Sequence, residues 1–152
     1  MKKILMFALV LLLGVNCFAA GKDWMDDLDK AVKVAQKSGK LILVDFAGSD
    51  WCPACMMLEK EVFKTKEFKE FAKDNLVLVL IDFPKGDIIS KKRRAVNEKL
   101  ARKFKIQYFP TVYLLDSKGK TIAELDYNGD GPKNFIKLVK SKMPKKKSVG
   151  KK

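Results

Sequence analysis

The chain contains no histidine and only three cysteines, Cys17, Cys52 and Cys55. A zinc site usually takes four ligands, mostly Cys and His, so these scarcities leave too few for one. No internal repeat is visible. Acidic side chains are outnumbered by basic ones, 18 against 32, for a net charge of +14. Such an excess suggests nucleic acid until it is located along the chain. Two of the charges lie in residues 1–20, five in residues 143–152, and seven in residues 85–105, where nine basic side chains meet two acidic ones. The remaining body, 21–84 and 106–142, sums to zero. The excess is therefore one basic segment and a basic tail on a neutral body. No aromatic residue is interleaved with Lys91-Lys-Arg-Arg94 to stack bases, which argues against specific nucleic-acid binding. Like-charge blocks of this kind are usually solvated or meet anionic surfaces.

What is present is an ordinary globular composition, 47% hydrophobic and 33% charged over 152 residues, enough for one domain with a core. Residues 1–20 stand apart. Lys2 and Lys3 precede the apolar run Ile4 to Leu13, too short to cross a bilayer, and Ala19 and Ala20 follow as small residues. That is the layout of a secretory signal, best cut after Ala19, which leaves small residues, Cys17 and Ala19, at the third-last and last positions of the leader. Lipidation at Cys17 is the less favoured reading, because Asn16 before it is bulkier and more polar than such sites usually carry. Export predicts a periplasmic or secreted protein, in a compartment where disulfides persist. With Cys17 removed, one dithiol remains, and it needs a redox partner to reset it. The expected layout is a leader over 1–20, a domain over 21–142 and a disordered basic tail over 143–152.

The chain is organised around Trp51-Cys52-Pro53-Ala54-Cys55, which follows the apolar run Leu41–Phe46 and precedes a helical pattern. A cysteine opening a helix meets unpaired N–H groups and the positive end of the dipole, which favours its thiolate. Cys52 is thus the candidate nucleophile and, by the same reasoning, the thiol expected to be more exposed. Cys55, about one turn further on, is the candidate resolving thiol. A structural disulfide is the plainer alternative. Asp45 interrupts a strand otherwise apolar on both faces; it is either an edge-facing acid with a water or Lys partner, or a buried acid that moves a proton for the dithiol.

Helical spacing predicts a helix over 23–38 that includes Trp24, Leu28, Ala31, Val32 and Ala35, stopped by Gly39. A further helix runs from Pro53 through Leu58 and Val62, with Met56 and Met57 as core filler, and another begins near Thr65. Leu76–Ile81 reads as a strand, and the basic cluster falls at the start of an amphipathic helix, where its charge opposes the dipole and a solvated face is expected. Val112–Leu115 and Thr121–Leu125 flank the turn Asp116–Gly119, so that pair must be antiparallel. Pro132 opens a last helix carrying Phe135, Ile136, Leu138 and Val139. The order predicts an α/β fold: a mixed sheet of parallel βαβ units plus an antiparallel hairpin, with helices on both faces.

Leu43-Val-Asp-Phe46 before Trp51-Cys-Pro-Ala-Cys55, with Phe109-Pro110-Thr111 opening a hairpin, resembles the thioredoxin superfamily over residues 23–142. Asp45-Phe-Ala-Gly-Ser-Asp-Trp-Cys52 and Glu61-Val-Phe63 are similar to the exported thioredoxin-like thiol-disulfide proteins of bacteria. The resemblance implies a thioredoxin-like fold and a thiol-disulfide oxidoreductase, with Cys52 attacking and Cys55 resolving. It further implies Pro110 after a cis bond beside the dithiol, Asp45 as the buried acid, and Trp51 flanking the site. Three features depart from the superfamily pattern: Pro53-Ala54 replaces the usual Gly-Pro, one extra residue separates Asp45 from Cys52, and Phe109 is bulkier than the residue usual before the proline. The expected direction is reduction, since no basic residue lies within the motif to stabilise a thiolate strongly. Expected partners are protein thiols and disulfides and an envelope or membrane redox protein, with an anionic surface open to the basic tail; no cofactor or metal is expected. The alternative from another class is a secreted binding module whose disulfide only staples a loop.

Overall fold

The computed structural model describes residues 23–144. The expected leader, Cys17 and residues 145–152 of the expected tail lie outside the described residues. Strand β1 (Trp24–Met25) leads into α1 (Leu28–Ser38), β2 (Leu41–Ala47), α2 (Pro53–Leu58), α3 (Lys66–Asn75) and β3 (Leu76–Asp82). Then come α4 (Lys91–Lys103), β4 (Thr111–Leu115), β5 (Thr121–Leu125) and α5 (Gly131–Lys142). The sheet order is β1-β3-β2-β4-β5, with β1 and β2 parallel to β3, and β4 antiparallel to both β2 and β5.

β2 is central, so both of its faces are covered and every residue after Leu41 is buried. The pleat sends Leu43, Asp45 and Ala47 to one face and Ile42, Val44 and Phe46 to the other. On the first face Leu43 packs with Leu58, Val62, Phe63, Phe68, Phe135 and neighbours from α2, α3 and α5. On the second, Ile42, Val44 and Phe46 pack with Leu28, Ala31 and Ala35 of α1, and with Leu100 and Phe104 of α4 and its end. Helices therefore cover both faces, as the element order predicts.

The helix expected over 23–38 begins five residues later than the spacing suggests. Asp27 has extended dihedrals, and its carboxylate accepts from the Lys30 N–H at 3.0 Å, so the helix starts behind it. Trp24, released from the helix, pairs in parallel with Leu78 and sets its ring 4.9 Å from that of Phe63. At the other end Gly39 adopts φ 69° and donates to Ala35 O, the left-handed stop that glycine favours.

α2 runs on through a π-helical turn, Glu59–Phe63, in which Lys64 N–H reaches Glu59 O at 2.8 Å. Cys55, Leu58 and Val62 face inward at spacings of three and four. Met56 and Met57 therefore point outward, 41% and 49% exposed, and are not the core filler expected. The α4 cluster also departs from expectation. Arg93 donates to Asp26 O at 2.7 Å and lies 3.5 Å from the Asp26 carboxylate, while Arg94 donates to Pro84 O and Gly86 O, both at 3.1 Å. Those two arginines tie loops together, and the solvated face is left to their neighbours. Met143, first residue of the expected tail, packs on the core under α5. Among the described residues no helix is long and apolar enough to cross a membrane.

Candidate active site

Cys52 sits at the N-cap of α2, with Pro53 in the first turn, where its missing N–H costs no helical bond. Cys52 and Cys55 are joined in a disulfide, their Cα atoms 5.3 Å apart. The two are buried almost equally, at 5% and 4% exposure, so in the oxidised form exposure does little to set Cys52 apart. Hydrogen bonding separates them instead. The Cys55 N–H donates to Cys52 Sγ at 3.2 Å, placing a helix-terminal dipole on the first sulfur. Ala47, Leu80 and Phe109 close around the pair. The Phe109–Pro110 peptide bond is cis, and the Thr111 hydroxyl donates to Tyr108 O at 2.7 Å across that turn.

Asp45 lies on the same face of β2 as Ala47, paired in register with Leu80 of β3 and Val112 of β4. It is 6% exposed, and its Oδ1 has no hydrogen-bond partner among the described residues. That position excludes the edge-facing reading with a Lys partner. Burial pushes its carboxyl up to about 7, and the charges of Asp82 and Glu59 push the same way. A cleft of about 830 Å³ is lined by Asp45, Cys55, Glu59 and Asp82 among others, so the acid and the second cysteine border a common space.

Asp82, the last residue of β3 and in register with Ala47, was not singled out in the sequence. Its carboxylate accepts from the Ser49 N–H at 2.9 Å and the Ser49 hydroxyl at 2.6 Å, anchoring the loop between β2 and Cys52. The buried Asn97 of α4 donates to Asp82 O at 2.8 Å. Asp50 reaches across to the 83–86 loop, where it accepts from the Lys85 N–H at 3.0 Å and the Gly86 N–H at 3.4 Å. The Lys85 N–H holds the Asp50 carboxyl below its ordinary range. An acid ending an apolar strand was the available signal for Asp82; a partner 33 residues away from Ser49 left none.

Trp51 donates from Nε1 to Phe83 O at 2.7 Å, meets the Phe109 ring edge-on at 5.9 Å, and carries Lys85 Nζ 5.4 Å from its ring centre. The structure thus brings Trp51, Cys52, Cys55 and Asp45 together, with Phe109 and its cis bond to Pro110 alongside. The Trp51 and Cys52 N–H groups both donate to Gly48 O, at 3.2 and 2.9 Å, so the extra residue before Cys52 is absorbed in a tight turn. A Cβ on Gly48 would collide with the Trp51 indole. Gly48→Ala is expected to drive the indole off Phe83 O, red-shift tryptophan emission and lower stability by about 1–2 kcal/mol. Unchanged emission would show that the turn has room that the geometry denies.

A family model described as a thioredoxin-like domain matches residues 28–141. Disulfide bond reductase DsbH of Chlamydia pneumoniae is 30% identical over 123 residues, which cover 81% of this chain and 74% of that protein. The solved structure of a DsbH oxidoreductase aligns with a TM-score of 0.73 at 29% identity, over 78% of this chain and 82% of that one. The thiol:disulfide interchange protein DsbD of Cronobacter sakazakii is 32% identical over 98 residues, 64% of this chain but only 15% of DsbD. The chain belongs to the thioredoxin-like family. With a Cys-x-x-Cys pair joined at the head of a helix, it is a thiol-disulfide oxidoreductase.

Proposed function

We propose that this protein reduces protein disulfides in the cell envelope, through a Cys52–Cys55 dithiol reset by an envelope redox partner. The observation that carries the reading is the pairing of a helix-capping cysteine disulfide with a buried acid that shares a cleft with the second cysteine. Cys52 thiolate attacks one sulfur of the substrate, forming a mixed disulfide and releasing a thiolate that takes up a proton. The Asp45 carboxylate accepts the Cys55 proton, and the Cys55 thiolate attacks Cys52 Sγ, which releases the second substrate thiol and restores the protein's own disulfide. Two electrons have passed to the substrate; an external dithiol returns the pair to its reduced form. Pro110 and Trp51 frame the surface on which an extended substrate segment lies.

Reduction is favoured over oxidation because a strong oxidant needs an unusually stabilised thiolate. Within the motif Cys52 Sγ accepts from the backbone N–H of Cys55, and no basic side chain lies there to add to it. The reductase name of the Chlamydia pneumoniae relative points the same way, and the leader expected over residues 1–20 supports the envelope. Reduction of insulin disulfides with dithiothreitol as donor tests the activity. A Cys55→Ala variant should accumulate mixed disulfides with its substrates, identifiable by mass spectrometry. Failure to accelerate insulin reduction, with no adducts trapped from envelope extracts, would sink the proposal.

A further inference from the structure

The exposed cations of α4 are arranged in a way the exchange chemistry does not use. At about 100° per residue, Lys91, Lys92, Lys99, Arg102 and Lys103 fall within about a third of the helix circumference. Asn97, Leu100 and the end residue Phe104 occupy the side turned to the sheet. All five cations are exposed, and among the described residues none pairs with a carboxylate, whereas Arg93 is paired with Asp26. Lys91 and Lys92 sit in the first turn, where they oppose the dipole, and Lys99 and Lys103 repel across one turn. Only the Lys91–Lys92 end of the stripe works against its helix, since Arg102 and Lys103 in the last turn suit the dipole.

Its place relative to the dithiol gives it a use. Arg94, on the same helix, grips the carbonyls of Pro84 and Gly86; Lys85 between them lies over Trp51, the residue before Cys52. The stripe therefore begins on the helix turn that braces the active-site loop. We propose that it docks an acidic segment of the partner protein whose disulfide is exchanged at Cys52, a substrate preference that rests on the oxidoreductase reading above. A protein partner fits better than a lipid surface. A helix lying on a membrane presents bulky apolar residues beside its cations. Here Leu100 and Phe104 are turned to the core, and Val96 is the one large apolar side chain exposed on α4.

The test uses the full chain, the double variant Lys91→Glu/Lys92→Glu, and three synthetic peptides with the same intramolecular disulfide flanked by Asp/Glu, by Ser/Gly or by Lys. At low salt the unmodified protein should show kcat/KM about ten-fold higher for the acidic than for the neutral peptide, falling to within about two-fold in about 0.5 M salt. The variant should lose that preference, reduce the neutral peptide at the unmodified rate, and melt at a higher temperature because its first turn now suits the dipole. Loss of function together with a gain in Tm cannot come from damaged folding. Equal kcat/KM for all three peptides, or a preference that survives in the variant, overturns the proposal. So does binding to phosphatidylglycerol vesicles that the variant loses while its peptide preference stays, which would assign the stripe to lipid. If no peptide is reduced, the oxidoreductase reading fails separately. Docking is then read from tryptophan fluorescence with the acidic peptide carrying Ser for Cys: salt-sensitive binding absent in the variant upholds it, and no binding overturns it.

Discussion

Replacing Cys52 with serine should bring reduction of a small neutral disulfide down to the uncatalysed rate, a loss on the order of 10³-fold or more. A serine hydroxyl needs a strong base to become a nucleophile, and the chain has no histidine to supply one. Cys55 cannot stand in, because the helix-terminal N–H that favours a thiolate, its own, is directed at position 52 and not at its own sulfur. Cys55→Ala should behave differently, attacking once and stopping as a mixed disulfide. Deleting residues 145–152 should leave the same rate within about two-fold, since a neutral substrate gains nothing from remote charge and Met143, which packs on the core, is retained. Thiol release followed by a colorimetric reagent at two salt concentrations reads all three variants. A tail deletion that abolishes turnover while Cys52→Ser preserves it would remove the dithiol from the centre of the mechanism.

The sheet and the dithiol were legible because their signals are local. A run such as Leu41–Phe46 states its own burial, a Cys-Pro-x-Cys at its end states a helix start, and the turn Asp116–Gly119 forces an antiparallel pair. Signals failed where a contact far along the chain decides. Trp24 fits helical spacing as well as Leu28 does, but Leu78, 54 positions later, offers it a strand to pair with. Met56 and Met57 look like core residues by hydropathy, and only the direction in which α2 lies on the sheet sends them outward. Arg93 and Arg94 read as part of a charge run like their neighbours; the carbonyls they hold belong to Asp26 and to the 84–86 loop. Asp45 was conspicuous as a carboxylate in an apolar strand, yet its lack of a partner depends on Leu80 standing beside it in β3, where an opposite charge would have compensated it.

That uncompensated acid makes stability run in an unusual direction with pH. In the unfolded chain the Asp45 carboxyl titrates near 3.8; folded, it is pushed up to about 7 by burial first and by Asp82 and Glu59 next. Between those values the folded protein holds a proton that the unfolded chain has released. Raising the pH through that window therefore favours unfolding, and the contribution present below pH 4 is lost as the pH passes about 7. About three pH units at roughly 1.4 kcal/mol each give a loss on the order of 4 kcal/mol. Asp45→Asn has nothing to titrate at that position. With the disulfide intact, the variant should match the unmodified protein at pH 4 and exceed it at pH 8 by on the order of 4 kcal/mol in urea unfolding. Its turnover should move the other way, because an amide cannot accept the Cys55 proton: resolution of the mixed disulfide slows about 10- to 100-fold and the pH–rate limb near 7 disappears. Stability and activity changing in opposite senses at one atom is the signature of an acid kept buried for its proton. A stability difference independent of pH would mean that Asp45 is charged or compensated in the folded protein, and its part in proton transfer would fall with it.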